Sequence, residues 1–202
     1  GSYDPVRNVV YWGVANPTPY TRFKRHGRYD AVSHVSPSEL YSNSTVALDV
    51  ETGKLVWYFQ ELPADDWDAD HNQERILVRT RVSPDPRFVK WINPALSPGI
   101  EQDVVITVAE GGGIFAVAQE TGRFLWARPF PFDDPNVNMS VVDVMTGQTS
   151  VNLDKLFKQD GDTILGCYHN TRSLWQIAYH PGENALYVPF HDQCLTMQAV
   201  ND

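Results

Sequence analysis

Cysteine is scarce: the 202-residue chain has two, Cys167 and Cys194. No Cys-x-x-Cys pair and no zinc-type spacing can be drawn from them, which excludes a thiolate metal site or a thioredoxin-like motif. They are either two buried thiols or one disulfide, and the residues alone leave both open. No apolar run approaches the roughly 18 residues that would span a bilayer. The opening stretch, GSYDPVRNVVYWG, has no basic region followed by an apolar one, so it does not read as a secretory leader. Positive charge is also short, with 16 Lys and Arg against 25 Asp and Glu and a net charge of −9. That balance lacks the basic footprint of a nucleic-acid binder. It suits solubility, a bound cation or a basic partner. A helical period is missing as well. Hydrophobic residues nevertheless make up 42% of the chain and charged ones 20%, which is enough for a real core.

What is present reads as strands and turns. Asn8 to Ala15 is rich in β-branched and aromatic residues and reads as a buried strand. It ends in Asn16-Pro17, where the proline holds the asparagine extended and the chain reverses. Residues 21–43 are polar and read as a surface excursion, and Asn43-Ser44-Thr45 has the form of a glycosylation acceptor. Residues 44–60 form the organising unit: Val46, Leu48 and Val50 alternate along one strand, Glu51-Thr52-Gly53-Lys54 makes the turn, and Leu55 to Phe59 returns. Gly53 supplies the positive φ that the turn needs.

The unit recurs. In IFAVAQETGRFLW, Thr121-Gly122 and Trp126 repeat Thr52-Gly53 and Trp57 at one constant offset. VVDVMTGQTSV is a third copy that keeps Thr146-Gly147 and lacks the tryptophan, and Asn184 to Pro189 gives a further strand. Residues 83–99 and 127–140 are proline-rich connections. Repeated hairpins of this kind predict radial β repetition, because one blade cannot bury its faces alone. The expected fold is therefore all-β: residues 1–202 as a single partial β-propeller of about three to four blades, where complete propellers have about four to eight. Incompleteness at both ends is expected.

The chemistry concentrates in a loop with carboxylates at Asp65, Asp66, Asp68 and Asp70. Asp-x-Asp-x-Asp opens like a calcium loop, but the sixth position is His71 rather than glycine and the twelfth is Leu77 rather than glutamate, which rejects the EF-hand. Alternation along an extended segment would put Asp66, Asp68 and Asp70 on one side. Such a row either repels itself in solvent as an exposed acidic loop or is neutralised by a hard cation. The six histidines show no ligand spacing and read as surface or packing residues, and the tryptophans other than Trp175 read as blade packing.

Taken in order, these motifs resemble the quinoprotein alcohol dehydrogenases, which carry pyrroloquinoline quinone (PQQ) on an eight-bladed propeller. The resemblance rests on Tyr3-Asp4-Pro5, Asn16-Pro17-x-Pro19, the hairpin from Ala47 to Trp57, and Gln60 and Pro63 leading to Asp66-Trp67-Asp68. It continues through ETGRFLW and WQIAYHPGENALYVP and spans nearly the whole chain, as a central fragment. It implies that Asn16, Asp68 and Asp70 ligate the metal, Ca2+ or a lanthanide ion. Aspartate at the Asp70 position marks the lanthanide-type pattern. It also implies that Asp68 is the catalytic base and that Trp175 lies close to the quinone. Cys167 and Cys194 resemble a disulfide-bonded pair of some members.

The implied reaction is oxidation of a primary alcohol to its aldehyde. The metal polarises a quinone carbonyl, Asp68 takes the alcohol proton and hydride passes to the quinone. A cytochrome c-type acceptor, a periplasmic or otherwise extracytoplasmic location and compatibility with peripheral membrane association follow from the same resemblance. Two positions depart from the pattern. The basic residue expected near the quinone carbonyls falls near Glu110, and the asparagine expected before Trp175 is Leu174. They favour the alternative, a non-catalytic propeller of the same repeat family acting as a binding scaffold or decayed enzyme.

Overall fold

The computed structural model of the chain describes residues 1–110, 113–129, 138–167, 172, 175–191 and 193–200. Strands β1 (Ser2–Asp4), β2 (Val9–Val14), β3 (Ser44–Asp49) and β4 (Leu55–Gln60) pair in sequence order as one antiparallel blade. Along β2, Val9, Tyr11 and Gly13 turn inward while Trp12 is 54% exposed. The strand expected to be buried throughout thus presents one face to solvent, as period-two geometry requires. A second sheet contains β5 (Ile76–Val82), β6 (Trp91–Ile92), β7 (Ile100–Ala109), β8 (Gly113–Ala118) and β9 (Phe124–Pro129) in the order β5-β7-β8-β9-β6. Residues 83–99 are therefore not all connection, since they supply the edge strand β6. Three two-stranded pieces follow: β10 (Met139–Val142) with β11 (Thr149–Val151), β12 (Thr163–Cys167) with β15 (Cys194–Gln198), and β13 (Ala178–His180) with β14 (Ala185–Tyr187). The architecture is that of a partial β-propeller.

The repeated turns explain how the blades join. In the β3–β4 turn, Oδ1 of Asp49 accepts from the Thr52 N–H at 2.8 Å and the Thr52 hydroxyl at 2.6 Å, and Gly53 takes φ +67°. The third copy keeps this chemistry: Oδ1 of Asp143 accepts from the N–H and hydroxyl of Thr146, and Gly147 has φ +80°. In the second copy Ala118 stands where Asp49 does, and the turn is held from outside instead. The carbonyl of Gln119 accepts from the Trp57 indole at 3.1 Å and the Tyr11 hydroxyl at 3.2 Å. A Cβ on Gly122 would lie 2.7 Å from the Trp57 ring, so glycine is needed there for close approach as well as for φ. The second and third turns thus seat on aromatic residues of the blade before them, Gly122 on Trp57 and Gly147 on Phe124.

One core lies between the two sheets, built on Tyr11, Trp57 and Phe59 from the first and Val105, Phe115 and Phe124 from the second. Val104, Ile106 and Leu125 pack on the opposite face of the second sheet, where Leu186 of β14 joins them. A third cluster, of Leu62, Trp67, Leu156 and Phe157 among others, lies under the acidic loop.

Residues 21–43 are not a surface excursion. They include a short helix, α1 (Arg22–His26), closed by Gly27 at φ +78°, and they bury Arg22, Ser36, Ser38, Ser42 and Asn43. Asn43 is 0% exposed, so the Asn-Ser-Thr sequence is closed to a glycosylating enzyme in the folded chain.

Candidate functional site

The acidic loop starts where β4 ends, and its carboxylates fall into two pairs. Asp65 is buried and accepts from the N–H groups of Trp67 (2.5 Å) and Ala69 (2.8 Å) and from the Asn43 amide (3.0 Å). Burial pushes its pKa up to about 7 against the pull of these donors. Asp66 is also buried: its Oδ1 accepts from the Arg22 backbone N–H at 2.6 Å and faces Arg22 Nε at 3.3 Å, and its Oδ2 accepts from the Phe157 N–H at 3.2 Å. Burial pushes this pKa up too, with the Arg22 charge opposing. The expected row of Asp66, Asp68 and Asp70 on one side of an extended segment is therefore corrected. The segment bends, Asp68 takes φ +59°, and Asp66 turns inward to a cation.

The second pair opens outward. Asp68 is exposed and Asp70 half-buried. The Asp68 charge raises the pKa of the Tyr20 hydroxyl. Asp70 is shifted upward by burial and then by the neighbouring Asp68 charge. Glu110, just beyond β7, joins from the second sheet. Its N–H donates to the Asp70 carbonyl at 3.1 Å, and its Oε2 faces the Asp70 N–H at 3.4 Å. The departure from the expected basic residue thus lies directly beside Asp70.

Asn16 follows β2 and is half-buried. The Ala15 carbonyl accepts from the Asn43 N–H at 3.0 Å, and the Asn43 side chain holds the acidic loop, so Asn16 lies on the same rim. Trp175 is 41% exposed, its ring centroid 4.2 Å from that of His191. Its N–H donates to the Arg172 carbonyl at 3.3 Å. The buried Arg172 guanidinium donates to the Val108 carbonyl at 2.7 Å and pairs with Glu74. Trp175 is thereby tied to the end of β7 that carries Glu110. Leu174 lies outside the described residues, as do His169 and the connection at 130–137. In the β12–β15 ladder Cys167 and Cys194 are direct cross-strand partners; nothing is described of the Cys167 side chain.

Tyr20, Arg22 and Asn43 were not singled out as site residues from the sequence. Arg22 lies 44 positions before its partner Asp66, and no local pattern marks such a pairing. Asn43 carried only its glycosylation motif.

Residues 1–89 match the family described as glucose/ethanol/alcohol dehydrogenase, β-propeller domain. Over 193 residues the chain is 28% identical to the dehydrogenase subunit of the quinone alcohol dehydrogenase of Gluconobacter oxydans, covering 93% of this chain and 22% of that one. The chain is similar in sequence to quinoprotein alcohol dehydrogenases. Two solved structures share the fold. One is the quinohemoprotein alcohol dehydrogenase ADHIIG of Pseudomonas putida HK5, with TM-score 0.78 and 22% identity, covering 100% of this chain and 26% of that one. The other is a europium-containing methanol dehydrogenase, with TM-score 0.76 and 22% identity, covering 99% and 30%. The chain therefore spans less than a third of the length of these proteins.

The donor set of the acidic loop and Asn16 suits a hard cation. It offers the Asp68 and Asp70 carboxylates and the Asn16 amide oxygen, with a half-buried carboxylate whose pKa the neighbouring charge raises. Among the described residues no three His, Cys, Asp or Glu side chains converge as a metal cluster.

Proposed function

We propose that the chain forms the metal- and quinone-facing rim of a PQQ-dependent alcohol dehydrogenase that oxidises primary alcohols to aldehydes. The observation that carries this reading is the sorting of the loop carboxylates. Asp65 and Asp66 are buried among hydrogen-bond donors, while Asp68 and Asp70 are turned out at the mouth. A loop that only needed charge for solubility would have no reason to bury half of it, because burying a carboxylate is costly without compensation.

In this reading Asn16, Asp68 and Asp70 hold Ca2+ or a lanthanide ion, and Trp175 lies against the quinone. When bound, the metal and quinone together supply a hydride acceptor. Asp68 takes the hydroxyl proton of the alcohol, and its exposure gives the substrate access. The buried Arg22–Asp66 pair fixes the loop base, and Trp67 anchors it through an indole hydrogen bond of 2.7 Å to the Lys155 carbonyl.

Residues 1–202 form one partial propeller domain of the longer enzyme. The Cys167–Cys194 pairing supports a disulfide, since cross-strand neighbours sit about 4.5–5.5 Å apart at Cα, within disulfide reach. A disulfide in turn fits an extracytoplasmic location with a cytochrome c-type electron acceptor.

Glu110 favours a second reading, a non-catalytic scaffold. A carboxylate beside Asp70 cannot donate to a quinone oxygen or stabilise its reduced anion. Dye-linked alcohol oxidation by the full-length protein with PQQ, in Ca2+ and separately in La3+, decides between them. Activity with La3+ alone supports the enzyme and the role of Asp70, and activity with Ca2+ alone keeps the enzyme and removes that role. No activity with either ion and no quinone binding leaves the scaffold.

A further inference from the structure

Asn43 is the point at which the two sides of this rim meet. It is fully buried at the entrance to β3, with φ +47°. Its N–H donates to the Ala15 carbonyl at 3.0 Å, one residue before Asn16. Its carbonyl accepts from the Glu61 N–H at 3.0 Å and the Leu62 N–H at 3.4 Å, where the acidic loop begins. Its amide nitrogen lies 3.0 Å from Oδ2 of Asp65, 2.6 Å from the Ala69 carbonyl and 3.0 Å from Nδ1 of His71. Asp68 and Asp70 flank Ala69, so the clamp grips the loop between the two outward carboxylates. Asp65 closes it from the other side by accepting from the Trp67 and Ala69 N–H groups.

The His71 ring is buried, its Nδ1 2.9 Å from the Ala69 carbonyl. Gly13 of β2 backs directly onto the His71 carbonyl and the Arg75 guanidinium, leaving no room for a side chain. The strand that delivers Asn16 and the loop that delivers Asp68 and Asp70 are thus pressed together, with one side chain bridging them.

We propose that Asn43 is a positioning residue that sets the spacing of Asn16 against Asp68 and Asp70, and so the cation affinity of the rim. This inference rests on the metal-site reading above. The residue type fits the task. Asparagine tolerates the left-handed backbone better than other residues with side chains, and its amide can contact several partners from one point. Residues that orient ligands without touching a metal typically alter affinity by about 10- to 100-fold when removed.

The test is titration of the full-length protein with Tb3+ alone, read by its luminescence, together with hydrogen exchange and thermal melting. Asn43→Gly keeps the positive φ and both main-chain links and removes only the amide. The expected result is Tb3+ binding weakened by at least about tenfold, faster exchange at the Trp67 and Ala69 amides, and a small change in Tm. Trp57→Phe, in the inter-blade core, is the control: it lowers Tm and leaves Tb3+ affinity unchanged. If Asn43→Gly does not fold, Asp65→Asn opens the same clamp by replacing one of the two oxygens that accept from the Trp67 and Ala69 N–H groups and the Asn43 amide with an NH2 donor, and must weaken Tb3+ binding likewise. Tb3+ affinity within twofold of wild type in the folded clamp variant overturns the inference and leaves the site reading intact. A wild-type protein that binds no Tb3+ overturns the site reading and this inference with it.

Discussion

Asp4 and Asp103 lie where the first two blades meet, and Arg7 bridges them, its guanidinium 2.8 Å from one carboxylate and 2.5 Å from the other. Burial works against ionising Asp4, but the Arg7 side chain and the N–H groups of Val6 and Arg7 outweigh it and hold its pKa below the ordinary value. Asp103 is held low chiefly by Arg7. In the acidic loop Asp65, Asp66 and Asp70 all move the other way, with burial as the first cause. The blade junction matches its anions with cations. The loop has a cation, Arg22, for Asp66, and brings Glu110 alongside Asp70. Structure that serves only the fold tends to neutralise what it buries, and the anions of the loop are the ones for which the proposed function supplies a cation.

The largest expected break in this contrast is chemical. Asp68→Asn in the full-length enzyme should lower kcat for alcohol oxidation by about 10²- to 10⁴-fold, the usual scale for a general base. Because Asp68 is exposed, thermal melting should not move. Arg22→Met should do the reverse of a surface change: it leaves Asp66 buried without its cation and should cost about 3–5 kcal/mol in denaturant unfolding. Cys194→Ser tests the proposed Cys167–Cys194 disulfide between β12 and β15. Loss of a disulfide closing a loop of this size should cost about 3–4 kcal/mol, and reductant should then have no further effect on the variant.

The last contrast is the pH slope, which the two regions should pull in opposite directions. Stability from Asp4 and Asp103 is fully present above the ordinary aspartate value of 3.8 and is lost as pH falls through their lower folded values. For Asp65 the sign reverses. The unfolded chain releases this proton near 3.8 and the folded chain near 7, so stability declines between those values as pH rises. Urea unfolding at a series of pH values should show Asp4→Asn flattening the acid limb and Asp65→Asn flattening the decline toward neutrality.

Much of the fold was legible because its signals are local. Gly53, Gly122 and Gly147 sit at turns that demand positive φ, and the strands around them alternate over a few residues. Even the degraded third copy kept Asp143, Thr146 and Gly147, the residues that make the turn. The proposed site residues Asp68, Asp70 and Asn16 came from motif order, but spacing could not show that Asp66 faces inward, because its partner is distant in the chain. The same limit hid Asn43, whose burial is set by Ala15, Asp65, Ala69 and His71 converging from two sides. Trp12 misled for a simpler reason: a β-rich run does not say which face of the sheet will be covered.

The central claim is that the outward carboxylates and Asn16 bind one cation. Crystals of the full-length protein soaked in La3+ and measured for anomalous scattering test it most directly. The account predicts a single strong peak within ligand distance of the Asn16 amide oxygen and the Asp68 and Asp70 carboxylates, absent in Asp68→Asn. A map with no peak on this rim, or with the ion seated elsewhere on the propeller, would contradict it.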